Sequence, residues 1–124
     1  MENEKIKSFT DLNTWKEGHK LVLLVYKYTD NFPPKESFSL TDQMRRAVIS
    51  ITSNIAEGFS RTSVKEKCQF YSVAQGSLTE LQNQLLIARD IGYLEENKFQ
   101  DAANQTVVVN KLINGLRRIR NTKY

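Results

Sequence analysis

Four long amphipathic stretches predict an all-α protein, an antiparallel up-down-up-down four-helix bundle. Three observations carry that reading. Apolar residues recur at spacings of three and four along most of the 124 residues. Only two prolines and five glycines interrupt them, and both prolines sit together at Pro33–Pro34. The segments between the stretches are short, which favours antiparallel neighbours. By length the chain reads as one domain, 1–124.

Helix 1 is expected over about 12–31. Thr14 with Glu17 fits a capping box, and Asp11 is the alternative cap for an earlier start. Leu12, Trp15, His19, Val22 and Tyr26 share one face, while Leu21, Leu24, Val25 and Tyr28 add apolar surface elsewhere. Phe32 precedes a proline, which pushes it out of the α region and ends the helix. Helix 2 is expected over 40–57 on a seam of Leu40, Met44, Ala47, Ile51 and Ile55, with Gly58 as a left-handed stop.

Helix 3 is expected over 63–91. Ser63 and Glu66 make a capping box, and Gly92 ends the helix. Val64, Tyr71, Ala74, Leu78, Leu81, Leu85 and Ala88 form a seam of period 3.5, which suits left-handed bundle packing. Helix 4 is expected over 96–121, with Phe99, Ala102, Thr106, Val109, Ile113 and Leu116 on its main seam. Val108, Leu112 and Ile119 form a second one. The Val107–Val108–Val109 run has strand propensity, but helical spacing on both sides outweighs it.

Hydrophobic content of 40% with 26% charged residues describes a folded soluble chain, not a disordered one. One cysteine, Cys68, excludes an internal disulfide and a Cys-rich metal site, and is compatible with a cytoplasmic setting. The polar opening MENEKIKSFTD does not read as a secretory signal. The longest apolar run, Leu21–Tyr26, is far short of the roughly 20 residues that span a bilayer, so no membrane partner is expected. His19, the single histidine, reads as a core-edge side chain, and Cys68 has no histidine near it in sequence. No catalytic residue, cofactor or metal is therefore expected, and the chain reads as a non-enzyme.

The stretch SNIAEGFSR at 53–61 ends helix 2 with a Glu facing the negative end of the helix dipole. Along helix 2, Gln43, Arg46, Ser50, Asn54 and Glu57 form a polar stripe. Along helix 3, Phe70, Val73, Ser77, Glu80, Gln84, Ile87 and Ile91 form one that is apolar at both ends. If facing positions sum to about 121, Arg45 or Arg46 pairs with Glu80 in a partly buried layer with Ser50, Ser77 and Gln84 alongside. Glu57 then meets Arg61 or free N–H groups near Val64, and Gly76 lets helix 2 approach. The competing reading is an ordinary solvated surface. A catalytic role for Glu57 or Glu80 is set aside, since neither has a nucleophile, histidine or metal set beside it in sequence.

Three stretches carry a resemblance: QMRRAVISITSNIAEGFSR at 43–61, AQGSLTELQNQLLIARDIGYL at 74–94 and DLNTWKEGHKLVLLVYKYTDNFP at 11–33. They resemble the bacterial four-helix bundle proteins encoded by intervening sequences of 23S ribosomal RNA genes. Two positions depart from that family's pattern. Thr52 stands where proline is usual, so the kink a proline brings is not expected, and Gly18 stands where alanine is more usual, which is expected to loosen helix 1. The resemblance implies a fold similar to the accessory variability determinant of diversity-generating retroelements. That protein forms a pentameric barrel and binds nucleic acid and a reverse transcriptase through basic surface. A ring-like homo-oligomer, with RNA or DNA and a reverse transcriptase as partners, is thus an implication of the resemblance.

The residues themselves supply a second pointer. Lys111, Arg117, Arg118, Arg120 and Lys123 lie in the last fourteen positions with no Asp or Glu, in a chain of net charge +4. A cationic helix end of this kind suffices for phosphate contacts, and Tyr124 adds a ring for stacking a base. Two other readings stay open: complementing the helix dipole, and docking an acidic protein partner without any nucleic acid. The doubled apolar stripes favour self-association, with Phe70, Ile87, Ile91, Val108 and Ile119 as candidate contacts.

Overall fold

Each of the four seams folds as an α-helix. The computed structural model describes residues 6–122, with side chains through 118. It contains α1 (Asn13–Thr29), α2 (Leu40–Ser60), α3 (Val64–Asp90) and α4 (Glu96–Thr122), and no strand among the described residues. Each helix packs on its chain neighbours and α4 closes back on α1, while the diagonal pairs do not touch at the backbone. Contacts run in opposite senses along every neighbouring pair. Gly18 meets Thr52 while Thr29 meets Arg45, and Gly58 meets Tyr71 while Ser50 meets Ser77. This is the antiparallel four-helix bundle. Leu21, Val25, Met44, Val48, Ile51, Ile55, Tyr71, Leu78, Leu81, Leu85, Val109 and Ile113 fill its centre.

The seams of α3 and α4 lie where the spacing places them, with two additions: Lys67 and Gln84 occupy buried positions on α3. Gly92 adopts φ +89°, and the Gly92 and Tyr93 N–H groups donate to Arg89 O (3.1 Å) and Ala88 O (2.9 Å). This double bond pattern closes the C-terminus of α3 and needs a residue without a side chain at the left-handed position. At the other end, Ser63 Oγ accepts from Glu66 N–H (3.0 Å).

Helix α1 differs from expectation at both ends and in its facing. A 3₁₀ turn at Phe9–Asp11 precedes it, with Ser8 as its cap. The Asp11 carboxylate accepts from the Lys7 and Ser8 N–H groups (2.9 and 3.1 Å), which hold its pKa below the usual carboxylate range. Thr14 is buried and caps nothing. The buried stripe is Thr14, Gly18, Leu21, Val25 and Thr29, rotated by about one residue from the face expected; His19 and Tyr26 are exposed. Gly18 explains the rotation. A Cβ there would lie 3.0 Å from Thr52 Cγ2, so α1 turns its smallest side toward α2. Far from loosening α1, Gly18 seats it on Thr52, so the two residues that depart from the family pattern touch each other.

Gly58 is a second correction. It is not a left-handed stop: α2 runs through it to Ser60, and it is buried within the helix. A Cβ at Gly58 would lie 2.6 Å from Tyr71 Cε1 and 3.1 Å from Phe70 Cβ. The glycine is there to admit the Tyr71 ring. Gly76, expected to allow close approach, instead faces open space. Gly58→Ala is expected to lower stability by about 1–3 kcal/mol in urea unfolding, despite alanine's better helix propensity. Stability at or above wild type would refute this account of the position.

α1 is tied to α4 by two polar contacts. Gln105 donates to Glu17 O and Oε1 (both 2.9 Å), and Tyr28 OH donates to Asp101 Oδ2 (2.5 Å). That bond, with partial burial, pushes the Tyr28 pKa from 10.0 up to about 12. A folded pKa above the unfolded one means that the stabilisation is fully present below about pH 10 and fades as pH climbs toward 12. Tyr28→Phe is expected to be less stable than wild type at neutral pH and to lack this alkaline component. Parallel thermal-unfolding curves of the two proteins above about pH 10 would contradict it.

Candidate nucleic-acid interface

The polar residues between α2 and α3 form a smaller layer than the spacing suggests. Ser50 and Ser77 hydroxyls meet at 2.8 Å, half-buried. Asn54 supports this pair from one turn away, donating to Ser50 O (2.8 Å) and Oγ (3.1 Å). Gln84 is buried; its Nε2 donates to Glu80 Oε2 (3.3 Å), and its Oε1 is buried without a hydrogen bond.

No arginine joins them. Arg45 turns to α1, where its Nε donates to Thr29 Oγ1 (2.9 Å), its Nη2 donates to Tyr26 O (3.4 Å), and its guanidinium lies 4.4 Å from the Tyr26 ring centre. Arg46 pairs with Asp42 one turn back (2.9 Å) on the exposed face. Glu80 is exposed, and the ionic pair with Arg45 or Arg46 does not form. The reason is angular. At about 100° per residue, Ser50 and Asn54 fall on the α3 side of the buried stripe, Arg45 on the α1 side, and Arg46 outward. Glu57 is exposed too: its backbone carbonyl accepts from Ser60 Oγ (2.7 Å), but its carboxylate makes no hydrogen bond or ion pair among the described residues. Arg61 lies 4.7 Å from the Phe70 ring centre instead of meeting it.

The facing positions of α2 and α3 sum to about 128, not 121, as Ser50 with Ser77 and Gly58 with Tyr71 require. Seven residues are one heptad, so the same faces meet two turns further along. What replaces the expected ionic link is Lys67. Its ammonium donates to Phe59 O (2.7 Å) and Gly58 O (3.3 Å), closing the C-terminus of α2 from the neighbouring helix. The spacing held a signal for it, since position 67 falls on the 3.5-residue seam of α3 and a lysine on a buried seam needs oxygen partners.

The cationic end of α4 divides into held and free groups. Arg117 is half-buried on the α3–α4 seam, where its Nη1 donates to Gln75 Oε1. Gln75 Nε2 donates in turn to Asn110 Oδ1 (3.0 Å) and Asn114 Oδ1 (2.5 Å). The Arg117 Nε is buried without a hydrogen bond, so this guanidinium is held by one amide. Lys111 and Arg118 are exposed. Seven residues apart on one helix, they share a face at a separation of about 10 Å along the axis. The Arg120 side chain, and Lys123 and Tyr124 entirely, lie outside the described residues, as does the Ile119 side chain.

Topology brings further cations to this end. α3 begins where α2 ends and runs antiparallel to α4, so exposed Arg61 and Lys65 lie at the same end of the bundle as Arg118. From Ala102 onward the chain carries no Asp or Glu. The opposite end holds Asp90, Glu95, Glu96 and Asp101 against Arg89 and Lys98, so the excess of cations falls off toward it. Among the described residues no group of His, Cys, Asp and Glu is placed to hold a metal, and no helix is long and apolar enough to cross a membrane. Gln75→Ala is expected to cost about 1–3 kcal/mol in chemical unfolding, because it strands the Arg117 guanidinium and two asparagine oxygens. A loss under about 0.5 kcal/mol would show that the amide network holds nothing.

The chain belongs to the 23S rRNA-intervening sequence protein family, whose model matches residues 10–115. The match takes in α1 to α3 and most of α4, and ends before Arg117. No curated protein matches. Among solved structures, the chain is similar to a protein of unknown function from the S23 ribosomal protein family of Bacteroides thetaiotaomicron, solved at 1.70 Å. The two are 19% identical, the alignment covers 84% of this chain and 97% of the other, and the TM-score is 0.75. That likeness supports the bundle fold.

Proposed function

We propose that this member of the family is a non-enzymatic, cytoplasmic accessory or scaffold protein that self-associates and binds nucleic acid through the cationic end of its bundle. The acid-free second half of α4 carries the reading: Lys111 and Arg118 project from one face, while Gln75 holds Arg117 beside them. Fixed and free cations at that spacing suit successive phosphates, which fix a nucleic acid in place without reading its bases. Arg61 and Lys65 at the α2–α3 corner widen the footprint beyond a single helix terminus, more than a dipole complement requires. Self-association draws support from half-exposed apolar side chains along α3 and α4, among them Ile87, Ile91 and Val108. The family match ends at 115, so Arg61, Lys65 and Lys111 of this surface lie within the matched span and Arg117 and Arg118 just beyond it.

Fluorescence anisotropy with labelled single-stranded RNA and DNA tests the reading. Binding is expected at about 50 mM salt and should weaken on the order of 10- to 100-fold by about 200 mM, as three or four phosphate contacts predict. Lys111→Glu with Arg118→Glu should abolish it while leaving the helical circular dichroism unchanged. Absence of binding at low salt would retire the nucleic-acid role and leave the cationic end to an acidic protein partner.

A further inference from the structure

Phe38 is 97% exposed, the most accessible large apolar side chain among the described residues. It sits in the α1–α2 connection, which is held firmly. Pro33 and Pro34 restrict the backbone. The Glu36 carboxylate accepts from Ser39 Oγ (2.5 Å), Tyr93 OH (2.9 Å) and Leu40 N–H (3.3 Å). A ring presented on a restrained loop loses little further freedom when it docks.

On the opposite edge of the bundle, α3 and α4 leave an open groove of about 290 Å³ lined chiefly by Leu85, Leu86, Phe99, Ala103 and Val107. Leu86 and Val107 are 42% and 46% exposed. No lining side chain is charged, although charged residues make up 26% of the chain. Depletion of charge around exposed apolar and aromatic groups marks the centre of a protein interface.

We propose that Phe38 of one copy of this chain seats in the α3–α4 groove of a second copy. The two connections meet through Tyr93 and Glu36, but Phe38 is 97% exposed and no part of its own groove, so the ring is free to enter the groove of another molecule. Charge agrees with the pairing. Exposed Lys35 accompanies Phe38, the neighbouring Glu36 being taken up by Ser39, Tyr93 and Leu40. At the Phe99 end of the groove Arg89 is paired with Asp90 (2.8 Å), which leaves exposed Glu95 and Glu96 to meet the lysine. The contact joins two different patches, so each copy offers a ring to one neighbour and a groove to another. Both connections lie at the same end of the bundle, so the contact forms near that end of both copies. This inference rests on the self-association part of the function proposed above and names its contact.

Light scattering on the whole chain separates the two claims. Wild type is expected to exceed twice the 14.3 kDa of one chain at about 100 µM, since each copy makes two junctions. A clean monomer there overturns self-association and this contact together, and a clean dimer overturns this contact. Phe38→Ser and Val107→Asp should each raise the dissociation constant at least about tenfold with unchanged circular dichroism, and Leu86→Asp serves if Val107→Asp unfolds. A wild type that associates beside an unaffected Phe38→Ser overturns the contact alone. The decisive sample mixes Phe38→Ser, which keeps its groove, with Val107→Asp, which keeps its ring. One junction survives, so the mixture should stop at about twice the chain mass. A mixture that stays monomeric overturns the proposal, as does one that regains the wild-type mass.

Discussion

The bundle hangs on the close approach of α2 and α3 at Gly58. No side chain larger than hydrogen fits between the α2 backbone and the Tyr71 ring, and that ring is almost wholly buried. Once the contact is made, the distance and the register of the two helices follow together. Lys67, one turn before Tyr71, then reaches the last carbonyls of α2 and satisfies acceptors that a helix end leaves open. Ser50 and Ser77 meet two turns further along as a consequence of the same register. The motif that looks like an odd helix ending is thus a steric slot beside a cap supplied in trans. Its glutamate, the residue that draws the eye in sequence, bears none of the load.

How much of this was legible follows from what periodicity encodes. A 3.5-residue repeat identifies the face a helix buries, and the faces of α3 and α4 were readable almost residue by residue. It does not encode how far two helices slide along each other. A register wrong by one heptad leaves the same faces together, which is why Ser50 and Ser77 were grouped correctly from a false alignment while the Arg–Glu80 pair was not. Arg45 and Arg46 are adjacent in sequence yet about 100° apart around α2, so one serves α1 and the other serves solvent. Ion pairs of long side chains turn on such angles and on neighbours that no single-helix pattern contains. Glycines were ambiguous for a related reason: Gly58, Gly76 and Gly92 look alike in sequence, and only packing shows that one admits a ring, one admits nothing and one reverses the chain.

The family match and the cationic surface overlap but do not coincide. The matched span, 10–115, contains the seams, the Gly58 slot and the Gln75–Asn110–Asn114 amides. Arg117 lies just beyond it, yet it is fastened to those amides. The bundle therefore acts as a mount. It fixes the orientation of the last turns of α4 and lowers the entropy lost when a cation there meets an anion. A flexible basic tail of equal charge would attract nucleic acid but would not set its direction.

Orientation matters more if copies join through Phe38 and the α3–α4 groove. The two ends of the bundle differ in balance: acids outnumber cations where α3 turns into α4, while the acid-free second half of α4 gives the other end its cationic excess. If copies joined in this way stand with parallel axes, their cationic ends share one rim. On the function proposed above, each chain alone would offer only a few phosphate contacts, which physiological salt weakens severely. Several copies on one rim engage a single strand at once, and the later contacts form at the high effective concentration that the first one creates. Weak individual sites then suffice for firm binding, and affinity becomes steeply dependent on assembly. On that logic the uncharged groove and the charged helix end are two halves of one device, the first arranging what the second does.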